Sequence, residues 1–231
     1  MILCFTALQA VCSIKNKDAL KNNTTMKRIF LCSSFADVAS ILSKSVSVPL
    51  KGKTVAFIPT ASIHEEYMQY VEDGRMALDS LGLIVNEIEI TQCSKNKIKD
   101  VLYDCDCIYI SGGNTFFLMQ ELRKTGTDKL IIEQIEKGKL YIGESAGAMI
   151  LAPNIEYAKD MDDHLTQTPD FTDFKGLGIV EFYPVVHFNS FPFVEAAQKV
   201  VHKNSHLPLE IITNQQAIVV VGNNIVIKER K

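Results

Sequence analysis

A serine flanked by glycines is the residue in this sequence best suited to chemistry. Ser145 lies in the pentapeptide Gly-Glu-Ser-Ala-Gly, residues 143–147, between an apolar stretch and a run of small and apolar residues. A Gly-x-Ser-x-Gly turn between a strand and a helix is typical of a nucleophile elbow, which exposes the serine hydroxyl. Glycines suit the flanks because a Cβ there would collide across the turn. A tight turn without chemistry explains the pentapeptide equally well.

A serine nucleophile needs a base, which is usually a histidine oriented by a carboxylate. Among the five histidines, His187 is the best placed, because it follows an apolar strand and precedes a polar break. A hydrogen-bonded structural histidine is the alternative at that position. The other four are accounted for by a helix start, an acidic loop and a solvated helix: His64, His164, His202 and His206. An acidic loop is more often solvated than metal-bound, so we predict neither a metal nor a cofactor.

A second glycine turn, Gly112-Gly113, joins a strand at 107–110 to a helix that starts near Thr115. It either makes a tight turn capped by Asn114, or it presents backbone N–H groups to a substrate oxyanion. We expect the oxyanion donors to be Gly113, or alternatively Gly112, together with Ala146. Three polar residues next to these turns are candidates for substrate binding: Asn114, Thr60 and Glu144.

Short apolar strands alternate with helices along most of the chain, which predicts an α/β fold with a doubly wound, mainly parallel sheet covered by helices on both faces. A helix is expected from about His64 to Leu81. Residues 211–212 and 217–228 are predicted to form antiparallel C-terminal strands. Ligands bind beyond the carboxyl ends of parallel strands, and the segments at 59–61, 111–114 and 143–147 all arrive there. This convergence favours a functional Ser145.

The composition is that of a globular protein, with 47% hydrophobic and 22% charged residues. A net charge of −3 without a Lys/Arg run gives no indication of nucleic-acid binding. No stretch reaches the roughly 20 apolar residues that span a membrane. The six cysteines have no zinc-type spacing, so a reducing, cytoplasmic location is expected.

The chain is predicted to consist of two parts. Residues 1–25 are an apolar and then Asn/Lys-rich extension, either disordered or upstream of the true start, with a weak export signal as the rival interpretation. Residues 26–231 are expected to form a single domain.

Taken together, these segments resemble the dipeptidase E and cyanophycinase family of serine peptidases. The resemblance covers roughly residues 26–228. It rests on four elements in order: Phe-Ile-Pro-Thr-Ala at 57–61, Ile-Ser-Gly-Gly-Asn-Thr at 110–115, Gly-Glu-Ser-Ala-Gly-Ala at 143–148 and His-Phe at 187–188. It implies a fold like that of class I glutamine amidotransferases, with a serine in place of their cysteine.

The resemblance also implies residue roles. Ser145 matches the nucleophile, and His187 matches the general base. The family's acid lies about fifteen residues after the serine, before a methionine, where Asp160-Met161 falls in this sequence. Nearby acids leave that role open: Glu156, Asp162 and Asp163.

One departure concerns substrate choice. The aspartyl dipeptidases carry an arginine in the helix after the histidine, where it holds the substrate's N-terminal aspartate. Residues 192–202 contain no arginine, and Lys199 and Lys203 cannot reproduce a bidentate guanidinium. We therefore expect a monomeric or homodimeric serine peptidase for short peptides, with a doubtful Asp-Xaa preference. The alternatives are an α/β-hydrolase-type esterase, whose histidine normally lies in a longer tail, and a non-catalytic peptide- or small-molecule-binding homologue.

Overall fold

The computed structural model describes residues 26–46 and 48–230, so the predicted extension at 1–25 lies outside the described residues. The strands in this part of the chain are β1 (Arg28–Cys32), β2 (Thr54–Ile58), β3 (Ile84–Glu87), β4 (Cys107–Ile110), β5 (Leu140–Glu144), β6 (Tyr183–Val185), β7 (Leu209–Ile211), β8 (Gln216–Val221) and β9 (Asn224–Glu229). The helices are α1 (Phe35–Ser45), α2 (Gln69–Ser80), α3 (Lys95–Asp104), α4 (Thr115–Thr125), α5 (Thr127–Glu136), α6 (Ala146–Met149) and α7 (Val194–Lys203).

Seven strands form the main sheet, in the order β3-β2-β4-β5-β1-β8-β9. The first five of these pair in parallel, whereas β8 runs antiparallel to β1 and β9 antiparallel to β8. This arrangement confirms the predicted fold class. The carboxyl ends of the parallel strands therefore meet at one edge of the sheet, where the glycine turns were expected to converge.

Apolar cores lie on both faces of the sheet, because alternate side chains of a strand point to opposite faces. In β1, Phe30 contributes to the core under α1 and α2, while Ile29 contributes to the core under the helices of the other face. Strands buried on both sides need continuous apolar runs. That requirement explains why the strands of the parallel sheet were recognisable from the sequence.

Two local expectations were wrong. The helix predicted to start near His64 starts at Gln69, because residues 60–62 form a 3-10 turn and a loop follows it. The strand predicted at 211–212 is β7, which pairs in parallel with β6 in a separate two-stranded sheet and does not extend the antiparallel end of the main sheet. In the described part of the chain, every helix is too short or too polar to cross a bilayer.

Candidate active site

Ser145 lies at a strained turn between β5 and α6. Its backbone has φ 48° and ψ −108°, a conformation that costs a non-glycine residue about 1–3 kcal/mol. The two flanking glycines allow the turn to close. A Cβ on Gly143 would lie 2.4 Å from the carbonyl oxygen of Gly147, and a Cβ on Gly147 would lie 2.4 Å from that of Ile110. Ser145 therefore stands at the apex of a tight strand-to-helix turn, as the predicted nucleophile elbow requires.

His187 is bonded to this serine. Its Nε2 lies 3.0 Å from Ser145 Oγ, which is hydrogen-bond distance. The histidine comes two residues after β6 ends and has a positive φ of 57°, so it is a second non-glycine residue of the site with an unfavourable backbone. Its ring stacks on Phe193, with the ring centroids 4.7 Å apart. The structure thus brings together the two residues predicted as nucleophile and base.

The third member of the arrangement is Asn214, which no motif in the sequence marks. Its Oδ1 lies 2.8 Å from Nδ1 of His187. Because an amide oxygen can only accept a hydrogen bond, Asn214 favours the histidine tautomer that carries its proton on Nδ1. In that tautomer Nε2 is an acceptor for the serine hydroxyl. Burial lowers the pKa of His187 below its usual 6.5, and the bond to Asn214 opposes that shift in part.

Asp160, predicted to complete the triad, lies elsewhere. Its carboxylate contacts Nζ of Lys199 at 2.7 Å and Nζ of Lys203 at 3.0 Å. These contacts lower the pKa of the carboxyl against the opposing effect of burial. A cavity of about 480 Å³ next to this ion cluster is also lined by Tyr157 and His206 and does not include Ser145.

The other acids considered for the triad are also bonded away from His187. Glu156 pairs with Lys159, and Asp163 accepts from the backbone of the loop that follows it. Asp162 accepts from the N–H of Thr115 at 2.9 Å, and burial raises its pKa to about 6. Within the described ranges, no three His, Cys, Asp or Glu side chains are grouped so that they could hold a metal ion.

The Gly112-Gly113 turn packs against the elbow. A Cβ on Gly112 would lie 3.2 Å from Ser145 Cβ and 3.2 Å from the ring of Tyr70. Gly113 has φ 129°, and a Cβ there would lie 2.1 Å from the carbonyl oxygen of Ala61, so only glycine fits. The N–H groups of Gly113 and Ala146 have no acceptor among the described residues. Both are therefore available to a ligand, whereas the N–H of Gly112 is directed to Glu144 and lowers the pKa of its carboxyl.

The three residues predicted to bind substrate are directed inward. Glu144 is 2% exposed and accepts from Phe35 N–H at 2.7 Å and from the Tyr109 hydroxyl at 2.6 Å. Asn114 caps α4, because its Oδ1 accepts from the N–H groups of residues 116 and 117. Thr60 is buried and donates to Glu89. Each of these polar side chains is thus bonded within the protein and helps to fix a turn or a helix start, and their contact with substrate stays a prediction.

The fold and the site together define a class of protein: a mostly parallel α/β sheet with a glutamine-amidotransferase-like arrangement, carrying a serine at its elbow with a histidine bonded to it. Comparison with known proteins places the chain within that class. It belongs to peptidase family S51, whose family profile matches residues 30–228.

The chain is similar to several proteins of this kind. An uncharacterized peptidase of Pasteurella multocida is 49% identical over 88% of this chain and 98% of the relative. A crystal structure of a candidate peptidase E protein from Listeria monocytogenes EGD-e has a TM-score of 0.84 and 47% identity, covering 89% of this chain and all of that one. Peptidase E of Shewanella sp. (strain ANA-3) is 35% identical over 58% of this chain and 53% of the relative. These comparisons agree with the resemblance found in the sequence.

Proposed function

We propose that this protein is a serine peptidase that hydrolyses short peptides with Ser145 as nucleophile and His187 as general base. The observation that carries the proposal is the 3.0 Å contact between Ser145 Oγ and His187 Nε2 at the tight turn between β5 and α6. Membership of a peptidase family supports the reaction class. The fold, which matches that of a peptidase E protein, argues against the α/β-hydrolase-type esterase.

The geometry supports the following steps. His187 Nε2 accepts the proton of the Ser145 hydroxyl as the oxygen attacks the peptide carbonyl carbon. When the tetrahedral intermediate collapses, the C–N bond breaks and the amine leaves with that proton, so an acyl ester remains on the serine. Water then gives a proton to His187 while its oxygen bonds to the carbonyl carbon. As the ester C–O bond breaks, His187 returns that proton to Ser145 Oγ and the acid product leaves.

Asn214 takes the orienting role in this proposal. A neutral amide holds the Nδ1–H tautomer but adds no negative charge beside the imidazolium that forms during the reaction. The base therefore depends more on its orientation than on a counter-charge. Gly113 and Ala146 would donate their backbone N–H groups to the oxyanion, a contribution of about 10²–10³ in rate for each donor.

The absence of an arginine bears on the substrate. α7 supplies Lys199 and Lys203 near the expected position, and both contact Asp160. Neither lysine is then free to bind a substrate carboxylate without breaking an existing ion pair. We therefore propose that an acidic first residue is not preferred over a neutral one.

Hydrolysis of a panel of dipeptides varied at the first residue tests both the catalytic residues and the lack of preference for an acidic first residue. We expect Ser145→Ala and His187→Ala each to lower kcat by about 10⁴–10⁶-fold, because the two groups act as one unit. His202→Ala, which removes an exposed histidine at the end of α7, is the matched control and should retain wild-type turnover. Turnover that persists in Ser145→Ala would contradict the nucleophile assignment. A strong preference for Asp-Xaa would contradict the specificity proposal.

A further inference from the structure

The end of β1 contacts every segment of the site that contains a reacting or orienting side chain. β1 lies between β5 and β8 in the sheet, and its last residue, Cys32, is in register with Glu144 on one side and Ala217 on the other. β5 leads directly into Ser145. Because β8 is antiparallel, the segment that precedes it, which contains Asn214, returns to the same edge.

Two consecutive residues make these contacts. The carbonyl oxygen of Cys32 accepts from the N–H of Ser145 at 2.9 Å. The hydroxyl of Ser33 accepts from the N–H of His187 at 2.9 Å. The same hydroxyl donates toward the carbonyl of Thr213 at 3.1 Å, with the carbonyl of Ile212 at 3.4 Å as a second, weaker acceptor.

The hydroxyl of Ser33 is thus shared between the backbone of the base and the backbone next to the residue that orients it. Ser33 is 1% exposed, so water cannot replace the hydroxyl without rearrangement of the site. The N–H that donates to this hydroxyl belongs to His187, whose positive φ is unfavourable without local support. Removing the hydroxyl would leave that N–H unpaired and would remove one of the hydrogen bonds that hold the segment containing Asn214.

We propose that Ser33 is a positioning residue that holds His187 and Asn214 in hydrogen-bonding register with Ser145. The inference rests on the proposed function, since it concerns the same Ser145–His187 pair. Ser33 does not touch the substrate; it acts through the backbone of the base and of residue 213. No motif in the sequence indicates this role, because it depends on the position of β1 in the sheet.

The test measures the rate at which diisopropyl fluorophosphate labels Ser145 at several pH values. Mass spectrometry detects the labelled protein. Labelling requires the serine–histidine pair but no knowledge of the preferred peptide. We expect Ser33→Ala to lower the rate about 10–100-fold. We also expect the acidic midpoint of the pH profile to move to lower pH, because the Asn214 bond that raises the pKa of His187 is loosened. Ser33→Thr, which keeps a hydroxyl, should restore part of the rate.

The controls separate positioning from folding. Ser45→Ala removes a hydroxyl that donates to Ile41 at the far end of α1, and should label like wild type. Ser33→Cys keeps the side-chain size with a poor hydrogen-bonding group and serves if Ser33→Ala does not fold. A lower rate with an unchanged midpoint, or a wild-type rate, would overturn the positioning role. Failure of the wild-type protein to be labelled and to cleave any dipeptide would overturn the proposed function, and the positioning role with it.

Discussion

The residue bonded to Nδ1 of His187 influences how this proposed base responds to pH. Asn214 is neutral, and burial lowers the pKa of His187 below 6.5. The proposed reaction needs a neutral His187 imidazole, so we expect activity to persist as the pH falls and to decline only below 6.5. A carboxylate in place of the amide would favour the imidazolium and raise that pKa by about 1–3 units.

The substitution Asn214→Asp tests this dependence directly. We expect the acidic limb of the kcat/KM profile to move to higher pH by about 1–3 units. Asn214→Ala should lower kcat and move the acidic limb to lower pH, because it removes the bond that raises the pKa of His187. Gln198→Ala, which removes a nearby amide that donates to Asn189, is the control. Identical acidic limbs in all four proteins would contradict the orienting role of Asn214.

At the scale of single residues, the sequence predicted those that belong to local patterns. Ser145 is marked by its flanking glycines, and His187 by the strand that precedes it. Asn214 has no such mark, because its position results from the antiparallel pairing of β8 with β1. Asp160 lies at the distance from the serine that the family resemblance predicts for the acid, but its ion pairs with two lysines of α7 follow from the folded structure and leave no mark in the sequence.

The contact between the elbow and the neighbouring strand depends on glycine for steric reasons. A Cβ on Gly147 would lie 2.4 Å from the backbone oxygen of Ile110, and a backbone atom cannot move aside as a flexible side chain can. The first turn of α6 would have to shift away from β4. Because Ser145 immediately precedes this helix, the shift would also move the hydroxyl relative to His187.

We therefore expect Gly147→Ala to lower the free energy of unfolding by about 1–3 kcal/mol. It should also lower the rate of labelling at Ser145. Gly52→Asn is the matched control, because a Cβ on Gly52 would have no neighbouring atom within 4 Å and asparagine tolerates its φ of 78°. Urea unfolding of both variants measures the difference. Equal stabilities of the two variants would show that the elbow can relax without cost.

At the scale of elements, the sequence predicted strand positions better than helix starts. The continuous apolar runs of β2, β4 and β5 are required by burial on both faces, so they leave a clear pattern. The start of α2 leaves none, because the preceding residues 63–68 are compatible with both a helix and a loop. The pairing of β7 with β6 depends on contacts between distant segments, which strand patterns do not encode.

For the whole molecule, the buried carboxyl of Glu144 links stability to pH. Burial raises its pKa from 4.5 to about 7, although hydrogen bonds from Tyr109, Phe35 and Gly112 oppose the shift. Between these two values the folded protein binds more protons at this site than the unfolded chain does. Stability therefore falls as the pH rises from about 4.5 to 7, by about 3 kcal/mol for a shift of this size.

Chemical denaturation of wild type and Glu144→Gln at several pH values tests this linkage. Glutamine cannot ionise, so the variant should lose most of the decrease in unfolding free energy between pH 4.5 and 7. The variant should also be less stable than wild type at pH 4.5. Both carboxyl oxygens of Glu144 accept hydrogen bonds, and the NH₂ group of glutamine cannot accept one in place of an oxygen. Glu195→Gln, which replaces an exposed acid on α7, should keep the wild-type slope. Equal slopes in all three proteins would contradict the raised pKa of Glu144, since the slope measures proton uptake whatever the absolute stability of each variant.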